Sequence, residues 1–499
     1  MKPVVTKYWG AADVSCSALM KAQSMNAEEI ISLLDRSGLA GRGGAGFSCA
    51  EKWRTVLQNG GNGYVVANLS NCDNDNDIVN SMVRNDAVSL VEGAAIAAYA
   101  TGARKIILFM RNTQRGLVET VEKAIAAVKA VFPSLNAAVH VGESDYEKGQ
   151  SQIILKILAG GVPVTECDKK HAAEAGLDGL PTLYHSAETL ACVAAVLRGE
   201  YEDTRLIQVL DKQKKFSKVL EVPTGTTIAE ALEQAGAPTE DLKVVTVGGY
   251  MGIVLKPSQL SLPLTPEALK KEGGMFGNLI LQLVHRGTCM VDFLFHCYEE
   301  SARECCGRCV YGRLGTAQIR QILRDISARR CKPDDMELMK EIAEAMEQAC
   351  SCNQGKTAAH MILSGIKNFS EEIEAHSRKK TCPENVCRGY VSYHIDPVKC
   401  TGCEECRTAC PAKAIEGRAD YIHVIDDIRC TGCRKCIAVC GQNAIIVAGK
   451  IKPKGPEEPI PVGSWGKNGS AFPHQPEGNG EKRTAPHANR YAKRSRYRK

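Results

Sequence analysis

Cysteine is the residue type whose spacing predicts chemistry most directly in this chain. Of its 23 cysteines, 18 lie between Cys289 and Cys440. Two segments, 400–410 and 430–440, share the pattern C-x2-C-x2-C-x3-C. This spacing lets three thiolates converge on one [4Fe–4S] cube while the fourth reaches a second cube.

The repeated pattern predicts two [4Fe–4S] clusters with crossed ligand sets. The first set is Cys400, Cys403, Cys406 and Cys440, and the second is Cys430, Cys433, Cys436 and Cys410. Gly441 stands where the first repeat has Pro411, and we expect glycine to be tolerated at that turn. A pair of zinc knuckles is the alternative, but the doubled spacing and the Ala-Ile pair after each repeat favour iron–sulfur cubes.

Further cysteines precede the repeats, in a region that we predict to be helical over 297–376. Five lie within 48 residues, which is unlike the scattered use of cysteine as a small buried hydrophobe: Cys305, Cys306, Cys309, Cys350 and Cys352. Cys382 and Cys387 then form a C-x4-C pair, with His376 six residues upstream. Such a group would make most of a tetrahedral zinc site, and unliganded loop cysteines are the alternative.

A glycine-rich loop near the N-terminus is the other segment with chemical potential. Residues 37–47 read Ser-Gly-Leu-Ala-Gly-Arg-Gly-Gly-Ala-Gly-Phe. A loop of this kind ahead of a helix aims backbone N–H groups at phosphate. Because such loops are also common as simple turns, the loop alone leaves a cofactor site open.

The elements that must position these residues follow from hydrophobic periodicity. Helical spacing at 27–34, strands at 63–68 and 105–110, and helices at 87–102 and 114–130 alternate as in a mostly parallel sheet. From about residue 203 the pattern changes. Strands at 205–210, 217–222 and 243–247, with a capped helix at 226–236, predict a small domain built from a hairpin and a helix.

Length and composition predict a globular protein of several domains. A chain of 499 residues suggests about three domains, and 44% hydrophobic residues is ordinary. No apolar run approaches the ~18 residues of a membrane-spanning helix. The first residues lack the apolar stretch of a secretory signal. We therefore expect a cytoplasmic protein without a membrane span.

Net charge is concentrated at the C-terminus. The total is +6, yet residues 481–499 carry eight basic residues and one acid, so the rest of the chain is close to neutral. A neutral body argues against nucleic-acid binding. Beyond residue 450 the composition predicts a disordered tail. Its charges favour a solvated arm, with docking on an acidic partner as the alternative.

Residues 41–47, followed by Lys52-Trp53, resemble the FMN-binding loop of the flavoprotein subunit of respiratory NADH dehydrogenase. That subunit type recurs in electron-bifurcating [FeFe]-hydrogenases and NAD-linked formate dehydrogenases. The resemblance covers roughly residues 30–370 and continues through 91–93, 179–182, 188–190, 287–292 and 300–316. The fused two-cluster ferredoxin resembles most the hydrogenase-type version.

The resemblance implies an α/β fold with a helical and a ferredoxin part. We expect a Rossmann-like FMN-binding domain at 1–202, a β-grasp-like (ubiquitin-like) domain at 203–265, a helical bundle with a cysteine cluster at 266–378, an α+β bacterial 2[4Fe–4S] ferredoxin domain at 379–450, and a basic flexible tail at 451–499.

The resemblance also implies cofactor-binding residues. Those expected at FMN are Gly41, Arg42, Gly43, Gly44, Lys52, Asn68, Tyr146 and Gly149. Phe47 is expected to stack on nicotinamide, and Asp73 stands where the family places an acid that contacts NADH. Several family positions are replaced, which weakens the case for NADH more than that for FMN: Ser70, Asn71, Gln150, Ser151, His185 and Ser186.

The family's next cluster uses C-x2-C-x2-C and one distant cysteine. Cys306 and Cys309 match the first two cysteines of the run and Cys352 matches the distant cysteine, but Gly312 stands at the third position of the run. One prediction is a rearranged [4Fe–4S] cluster with Cys350 or Cys305 as the remaining ligand, and the other is no cluster. The resemblance further implies Cys289 as the fourth ligand of the zinc site.

Two functions follow as expectations. In the first, NADH gives a hydride to FMN, which passes single electrons to [4Fe–4S] clusters in an oxidoreductase complex, with electron bifurcation and the reverse reduction of NAD both open. In the second, the chain is a non-catalytic relay with a degenerate FMN and NADH site. The expected partners are a small thioredoxin-like [2Fe–2S] subunit, because residues before the loop are too few to hold that module, and a terminal reductase, hydrogenase or formate dehydrogenase subunit.

Overall fold

The chain divides into two units, residues 1–391 and 392–499. The computed structural model describes residues 3–11, 15–70, 75–142, 150–163, 170–277, 279–449 and 453–466. No helix within these ranges is both long and apolar enough to cross a membrane.

A four-stranded parallel sheet organises the first part of the N-terminal unit. Its strands are β1 (Tyr64–Asn68), β2 (Lys105–Arg111), β3 (Ala137–Gly142) and β4 (Thr182–Ser186). The order is β3-β2-β1-β4, and every neighbouring pair is parallel. The predicted parallel sheet is confirmed. Because the order reverses between β1 and β4, the carboxyl ends of these two strands border the place where open α/β sheets bind ligands.

Seven α-helices accompany this sheet within the described residues. They are α1 (Ser17–Gln23), α2 (Ala27–Ser37), α3 (Cys49–Gln58), α4 (Ile78–Thr101), α5 (Val118–Val131), α6 (Ser151–Leu158) and α7 (Ala187–Arg198). An Asn26–Glu29 capping box starts α2, as the sequence pattern favours. Helix α4 is kinked at Asp86, whose backbone is non-helical and whose Oδ1 accepts a hydrogen bond from the N–H of Ser89 at 2.9 Å. The helix predicted from residue 87 therefore begins at this kink, and a further helical segment from Ile78 precedes it.

Helices α4 and α7 pack unusually closely, and one Glu-Gly pair makes this contact. A Cβ at Gly93 would lie 1.9 Å from the carbonyl oxygen of Leu190, so no larger residue fits there. The neighbouring Glu92 is fully buried. Its carboxylate accepts hydrogen bonds from Arg198 Nη1 at 2.7 Å and from the N–H of Leu19 at 2.9 Å. Close packing and a buried ion pair together join α1, α4 and α7.

A five-stranded mixed sheet follows. Its strands are β5 (Thr204–Asp211), β6 (Phe216–Pro223), β7 (Leu242–Val247), β8 (Ile253–Leu255) and β9 (Ile280–His285). The order is β6-β5-β9-β7-β8, with β5 and β9 parallel and the other pairs antiparallel. Helix α8 (Ile228–Ala235) connects β6 to β7, and α9 (Pro266–Lys271) precedes β9. The predicted strands and capped helix are confirmed.

Four helices complete the N-terminal unit and confirm the predicted helical region. They are α10 (Met290–Arg303), α11 (Val310–Ser327), α12 (Asp335–Ala349) and α13 (Asn353–Ser377). Their apolar faces share one core, in which Leu294, Ile319 and Met346 are fully buried. The turns between these helices carry the cysteines, so helix packing brings the sulfur atoms together.

The C-terminal unit is a small repeat of short strands and helices. Its elements are β10 (Ser392–Ile395), α14 (Glu405–Thr408), β11 (Ile415–Glu416), β12 (Tyr421–Ile422), β13 (Val424–Ile425), α15 (Lys435–Val439), β14 (Ile445–Ala448) and β15 (Ile460–Pro461). Antiparallel pairs form between β10 and β14 and between β11 and β13. Most of the tail predicted to be disordered, from residue 467 onward, lies outside the described residues.

The contact at Gly93 gives a stability test. Gly93→Ala should destabilise the N-terminal unit by at least the ~1–3 kcal/mol typical of overpacking, because the backbone of α7 cannot yield as a side chain would. Thermal unfolding of the full chain measures the effect. Gly116→Ala is the matched control, since a Cβ there meets no atom within 4 Å. Equal melting temperatures for the two variants would contradict the packing argument.

Candidate cofactor cleft and cysteine centres

A cleft of about 400 Å³ opens at the carboxyl ends of β1 and β4. The glycine-rich loop forms one wall, and residues 184–189 form the floor. Segment 274–277 and the first turns of α13 line the remaining sides. The parallel sheet, the second sheet and the helical region therefore all contribute to one site.

The loop itself is closed on its own backbone. The N–H of Gly41 donates to Phe47 O at 2.8 Å, and the N–H of Cys49 donates to Leu39 O at 3.0 Å. Helix α3 starts at Cys49, directly after the loop, and Ser48 caps it. The loop thus reaches the cleft at the positive end of a helix, where anions bind favourably.

Two glycines bring separate segments into backbone contact at the rim of the cleft. Gly44 has a φ of +101°, which favours glycine, and a Cβ there would lie 3.2 Å from Gly277 Cα. A Cβ at Gly277 would in turn lie 2.9 Å from Gly44 Cα. Side chains at either position would push the 274–277 segment away from the loop and widen the cleft.

Arg42 anchors the loop. Its guanidinium donates to Asp203 Oδ1 at 2.8 Å and to Tyr201 Oη at 2.7 Å, and its backbone N–H donates to Thr189 Oγ1 at 2.9 Å. Neighbouring negative groups, including Glu188 and Asp203, outweigh the effect of burial and raise the pKa of Arg42. The side chain therefore fixes the loop against the start of the second sheet.

Lys52 places a partly buried cation in the cleft. Its Nζ donates to Tyr184 O at 3.2 Å. Burial lowers the pKa of Lys52, because desolvation disfavours the charged form and no carboxylate among the described residues offsets it. An anion bound beside Lys52 would remove this penalty.

His185 is held as a neutral hydrogen-bond donor. Trp53 Nε1 donates to His185 Nε2 at 2.9 Å, so the ring hydrogen resides on Nδ1. Burial, and then the Lys52 charge, lower the pKa of His185 well below its ordinary value. The same two causes lower the pKa of His171, whose ring packs against Phe47 at the cleft mouth with centroids 5.7 Å apart.

Unpartnered polar atoms show that the cleft suits a large polar ligand. Gln354 is only 3% exposed, yet both its side-chain nitrogen and oxygen find no hydrogen-bond partner among the described residues. Gln150 Nε2 and His360 Nδ1 likewise find no hydrogen-bond partner among the described residues. All three residues line the cleft. Buried polar groups normally pair, so a ligand with several donors and acceptors, such as FMN, fits these side chains.

The structure brings most of the predicted cofactor residues to this cleft. Those lining it are Gly41, Arg42, Gly43, Gly44, Phe47, Lys52 and Asn68. Asp73, Tyr146 and Gly149 lie outside the described residues. The contribution of α13 was missed by the sequence analysis, because Asn353, Gln354 and His360 carry no spacing signal of their own.

A second centre lies at the end of the helical region, where the four residues predicted for zinc converge. One ligand atom from each of Cys289, His376, Cys382 and Cys387 lies within 4.8 Å of the others, and all four residues are buried. The Sγ atoms of Cys289 and Cys387 are 3.4 Å apart. A tetrahedral ion with metal–sulfur distances of 2.3 Å separates its thiolates by about 3.8 Å, so the spacing fits one metal ion.

The surroundings prepare these ligands. His376 Nδ1 donates to Glu372 O at 2.7 Å, which leaves Nε2 facing Cys289 Sγ at 3.3 Å. Hydrogen bonds from the thiols of Cys289 and Cys387 lower the pKa of Cys382. A histidine oriented by its other nitrogen and a thiol with a lowered pKa are both typical of metal ligands.

In the C-terminal unit, the eight repeat cysteines divide between two small cavities. One is lined by Cys400, Cys403, Cys406 and Cys440, and the other by Cys410, Cys430, Cys433 and Cys436. These are the crossed sets that the spacing predicts. Cys410 and Cys440 are the cysteines that each repeat contributes to the other repeat's cavity, and each accepts a backbone hydrogen bond. The N–H of Ala414 donates to Cys410 Sγ at 3.3 Å, and the N–H of Ala444 donates to Cys440 Sγ at 3.4 Å.

The backbone repeats along with the cysteines. Gly402 and Gly432 both have a φ of +70°. A Cβ at Gly402 would lie 2.7 Å from Tyr421 N, so glycine is required there. Glu404 and Arg434 both adopt left-handed conformations. The two loops thus have the same shape but carry opposite charges beside their cavities.

The upstream cysteine cluster comprises Cys305, Cys306, Cys309, Cys350 and Cys352. Three of its sulfur atoms surround Gly312: a Cβ there would lie 3.0 Å from the sulfur of Cys309, 3.5 Å from that of Cys305 and 3.8 Å from that of Cys350. Cys352 precedes α13 directly, so this cluster adjoins the helix whose next residues line the cleft.

Comparison with known proteins agrees with this division of the chain. Residues 34–195 match the Nuo51 FMN-binding domain, residues 292–376 match the NADH-ubiquinone oxidoreductase-F iron-sulfur binding region, and residues 399–445 match a 4Fe-4S dicluster domain. The three matches contain, respectively, the glycine loop with most of the cleft floor, the upstream cysteine cluster and the two-cavity unit.

Relatives match over most of their length. The NADP-reducing hydrogenase subunit HndC of Solidesulfovibrio fructosivorans is 28% identical over 81% of this chain and 87% of its own. The F-type subunit of the NADH-quinone oxidoreductase of Streptomyces coelicolor is 29% identical over 77% of this chain and 93% of its own.

A solved structure extends the similarity to the fold. An NAD⁺-reducing [NiFe]-hydrogenase in the H₂-reduced state aligns with a TM-score of 0.67 and 25% identity, over 76% of this chain and 67% of that one. The family matches, the relatives and the shared fold agree with the resemblance of the glycine loop. In its family matches, its relatives and its fold, the chain is therefore similar to FMN-binding, iron–sulfur flavoprotein subunits such as HndC and the F-type subunits of NADH-quinone oxidoreductases.

Proposed function

We propose that this chain binds FMN in the cleft, takes a hydride from NADH there or returns one to NAD⁺, and passes single electrons to its [4Fe–4S] clusters. One observation carries the proposal above all. The first residues of α13, Asn353 and Gln354, line the cleft, and Cys352 of the upstream cluster comes immediately before them. A two-electron site and a one-electron site thus share one helical turn.

The protein's own residues supply binding and orientation. When bound, FMN supplies the conversion of a hydride into two separately transferable electrons. Lys52 offers a cation to its anionic groups, and the loop before α3 offers backbone N–H groups. His185 Nδ1 and the amide of Gln354 offer neutral hydrogen bonds. The carbonyl of Tyr184 and the contact with Trp53 keep Lys52 and His185 in place.

Fewer residues support the proposed nicotinamide site of the cleft. Phe47 is 55% exposed at the cleft mouth, where it packs against His171 and presents its exposed side to a planar ligand. Gln150 and Ser151, which replace the two acidic residues of the family, line the same cleft. We therefore propose that NADH binds, with lower affinity than a site that keeps both acids.

A relay without flavin chemistry is the second candidate. The observation that favours it is the replacement of family polar residues at the cleft, including His185 and Ser186, which are engaged by Trp53 and Thr189. In that case the cubes of the C-terminal unit would serve partner subunits alone. Flavin content and reduction by NADH separate the two candidates.

The partners and the remaining centres complete the proposal. We propose assembly with a small [2Fe–2S] subunit and a terminal redox subunit, in line with the complexes named for the relatives. We also propose that the second sheet forms a β-grasp-type domain, which its 2-1-5-3-4 strand arrangement supports. Its middle strand β9 (Ile280–His285) extends this domain beyond the expected bounds of 203–265. Three cysteines and one histidine favour zinc in the Cys289 centre.

Hydride transfer is tested directly with NADH. Anaerobic addition of NADH to FMN-loaded protein should bleach the flavin absorption band. Gln150→Glu with Ser151→Glu restores the family acids, and each regained polar contact contributes about 0.5–1.5 kcal/mol. The Kd for NADH should therefore fall by about fivefold to a hundredfold. A flavin that dithionite reduces and millimolar NADH leaves oxidised would establish the relay instead.

The Lys52 cation predicts a pH dependence of FMN binding. Its pKa lies below the ordinary 10.5 in the free protein, so its charge is lost as pH rises through that lowered value. FMN affinity should fall over the same alkaline range. Lys52→Met should weaken binding by about tenfold to a hundredfold, because a charge-assisted hydrogen bond is lost, and should abolish this pH response. Fluorescence titration from pH 7 upward measures both effects, with Lys52→Arg as the charge-retaining control.

The Cys289 centre predicts about one zinc ion per chain. Cys387→Ser should reduce the zinc content to near zero, because three remaining ligands bind far more weakly than four. Cys331→Ser is a matched control: its Sγ lies 3.5 Å from His376 O but bonds to Lys380 Nζ rather than joining the ligand group. Metal analysis by mass spectrometry distinguishes them. Equal zinc contents in the Cys387→Ser and Cys331→Ser variants would contradict the zinc site at the Cys289 centre.

A further inference from the structure

The upstream cysteine cluster lacks one ligand at a defined place. Cys306 and Cys309 have the C-x2-C spacing that both ferredoxin repeats use. Three residues further, where each repeat has its third cysteine, stands Gly312 in the first turn of α11. With Cys352, the cluster has three of the four thiolates that a cube takes.

The gap left by Gly312 is occupied by sulfur from another turn. A Cβ at Gly312 would lie 3.0 Å from Cys309 Sγ, 3.5 Å from Cys305 Sγ and 3.8 Å from Cys350 Sγ. From the opposite side, a Cβ at Gly355 would lie 2.5 Å from Cys350 Sγ. Two glycines, one on α11 and one on α13, therefore leave the space that the Cys350 side chain fills.

We propose that Cys350 has taken over the ligand role of position 312, so that a [4Fe–4S] cluster is held by Cys306, Cys309, Cys350 and Cys352. The ligand has moved from the first turn of α11 to the end of α12. The inference rests on the proposed function, in which this cluster is the first to receive electrons from the cleft.

Cys350 suits the role better than Cys305. Cys350 is 4% exposed and its thiol lies within hydrogen-bonding reach of Cys309. It is also two residues from Cys352, so a single short turn supplies both ligands. Cys305 is half-buried and lies at C-x3-C spacing from Cys309, unlike the repeats of this chain.

Iron content and low-temperature EPR of the full-length protein, purified without oxygen, test the assignment. Three cubes require about twelve irons per chain. Cys350→Ala should hold about eight and lose one cluster's EPR signal after dithionite reduction, while Cys305→Ala should keep about twelve. Cys350→Ala combined with Gly312→Cys should regain the lost four irons and the signal, because it returns a thiolate to the same space.

The opposite results overturn the proposal. Twelve irons in Cys350→Ala, four irons lost in Cys305→Ala, or no recovery in the double variant would each do so. Retained ferredoxin signals and an unchanged melting temperature separate loss of a ligand from loss of folding, and Cys350→Ser repeats the test with a side chain of similar size. Wild-type protein that holds eight irons while NADH still reduces its flavin would refute the cluster and leave the hydride step standing.

Discussion

Four consecutive residues at the start of α13 constrain the whole N-terminal unit. Cys352, a member of the upstream cysteine cluster, is the N-cap residue of the helix. Asn353 and Gln354 line the cleft, and Gly355 packs against Cys350. Successive residues of a helix point in directions about 100° apart, so one turn can serve the cleft, the cluster and the core. Both sheets and the other helices must then be arranged so that the cleft and the cysteines meet at this turn.

The cleft carries electrostatic costs that a bound anion would offset. Lys52 is a cation whose pKa is lowered by burial, and both side-chain atoms of Gln354 lack partners among the described residues. Unpaired buried groups destabilise a folded protein. Their cost is recovered only when a ligand pairs with them, so ligand binding and stability of this region are thermodynamically linked. The Gly44–Gly277 contact holds the rim in the shape that allows such pairing.

Periodicity and spacing predicted much of this molecule, because those signals are local. The parallel sheet, the strands of the second sheet and the crossed cysteine sets of the ferredoxin unit follow from patterns within a few tens of residues. The role of α13 at the cleft could not be predicted in this way. Gln354 and His360 line the same cleft as the glycine loop although some 300 residues of sequence separate them, and an isolated glutamine or histidine has no periodic signature. Likewise, only the packing of α11 against α13 places Cys350 beside Gly312.

The distances between ligand atoms distinguish the two kinds of cysteine centre, which the sequence alone leaves ambiguous. The ligand atoms of Cys289, His376, Cys382 and Cys387 lie within 4.8 Å of one another, and no other group of three such atoms is this tight among the described residues. The ferredoxin cysteines instead line two small cavities, four cysteines to each. Zinc has no redox chemistry, so a zinc ion at the Cys289 centre would take no part in electron transfer. Its effect would be structural: Cys382 and Cys387 belong to the segment that leaves the helical region just before the second unit begins, and a metal bond would fix that segment to α10 and α13.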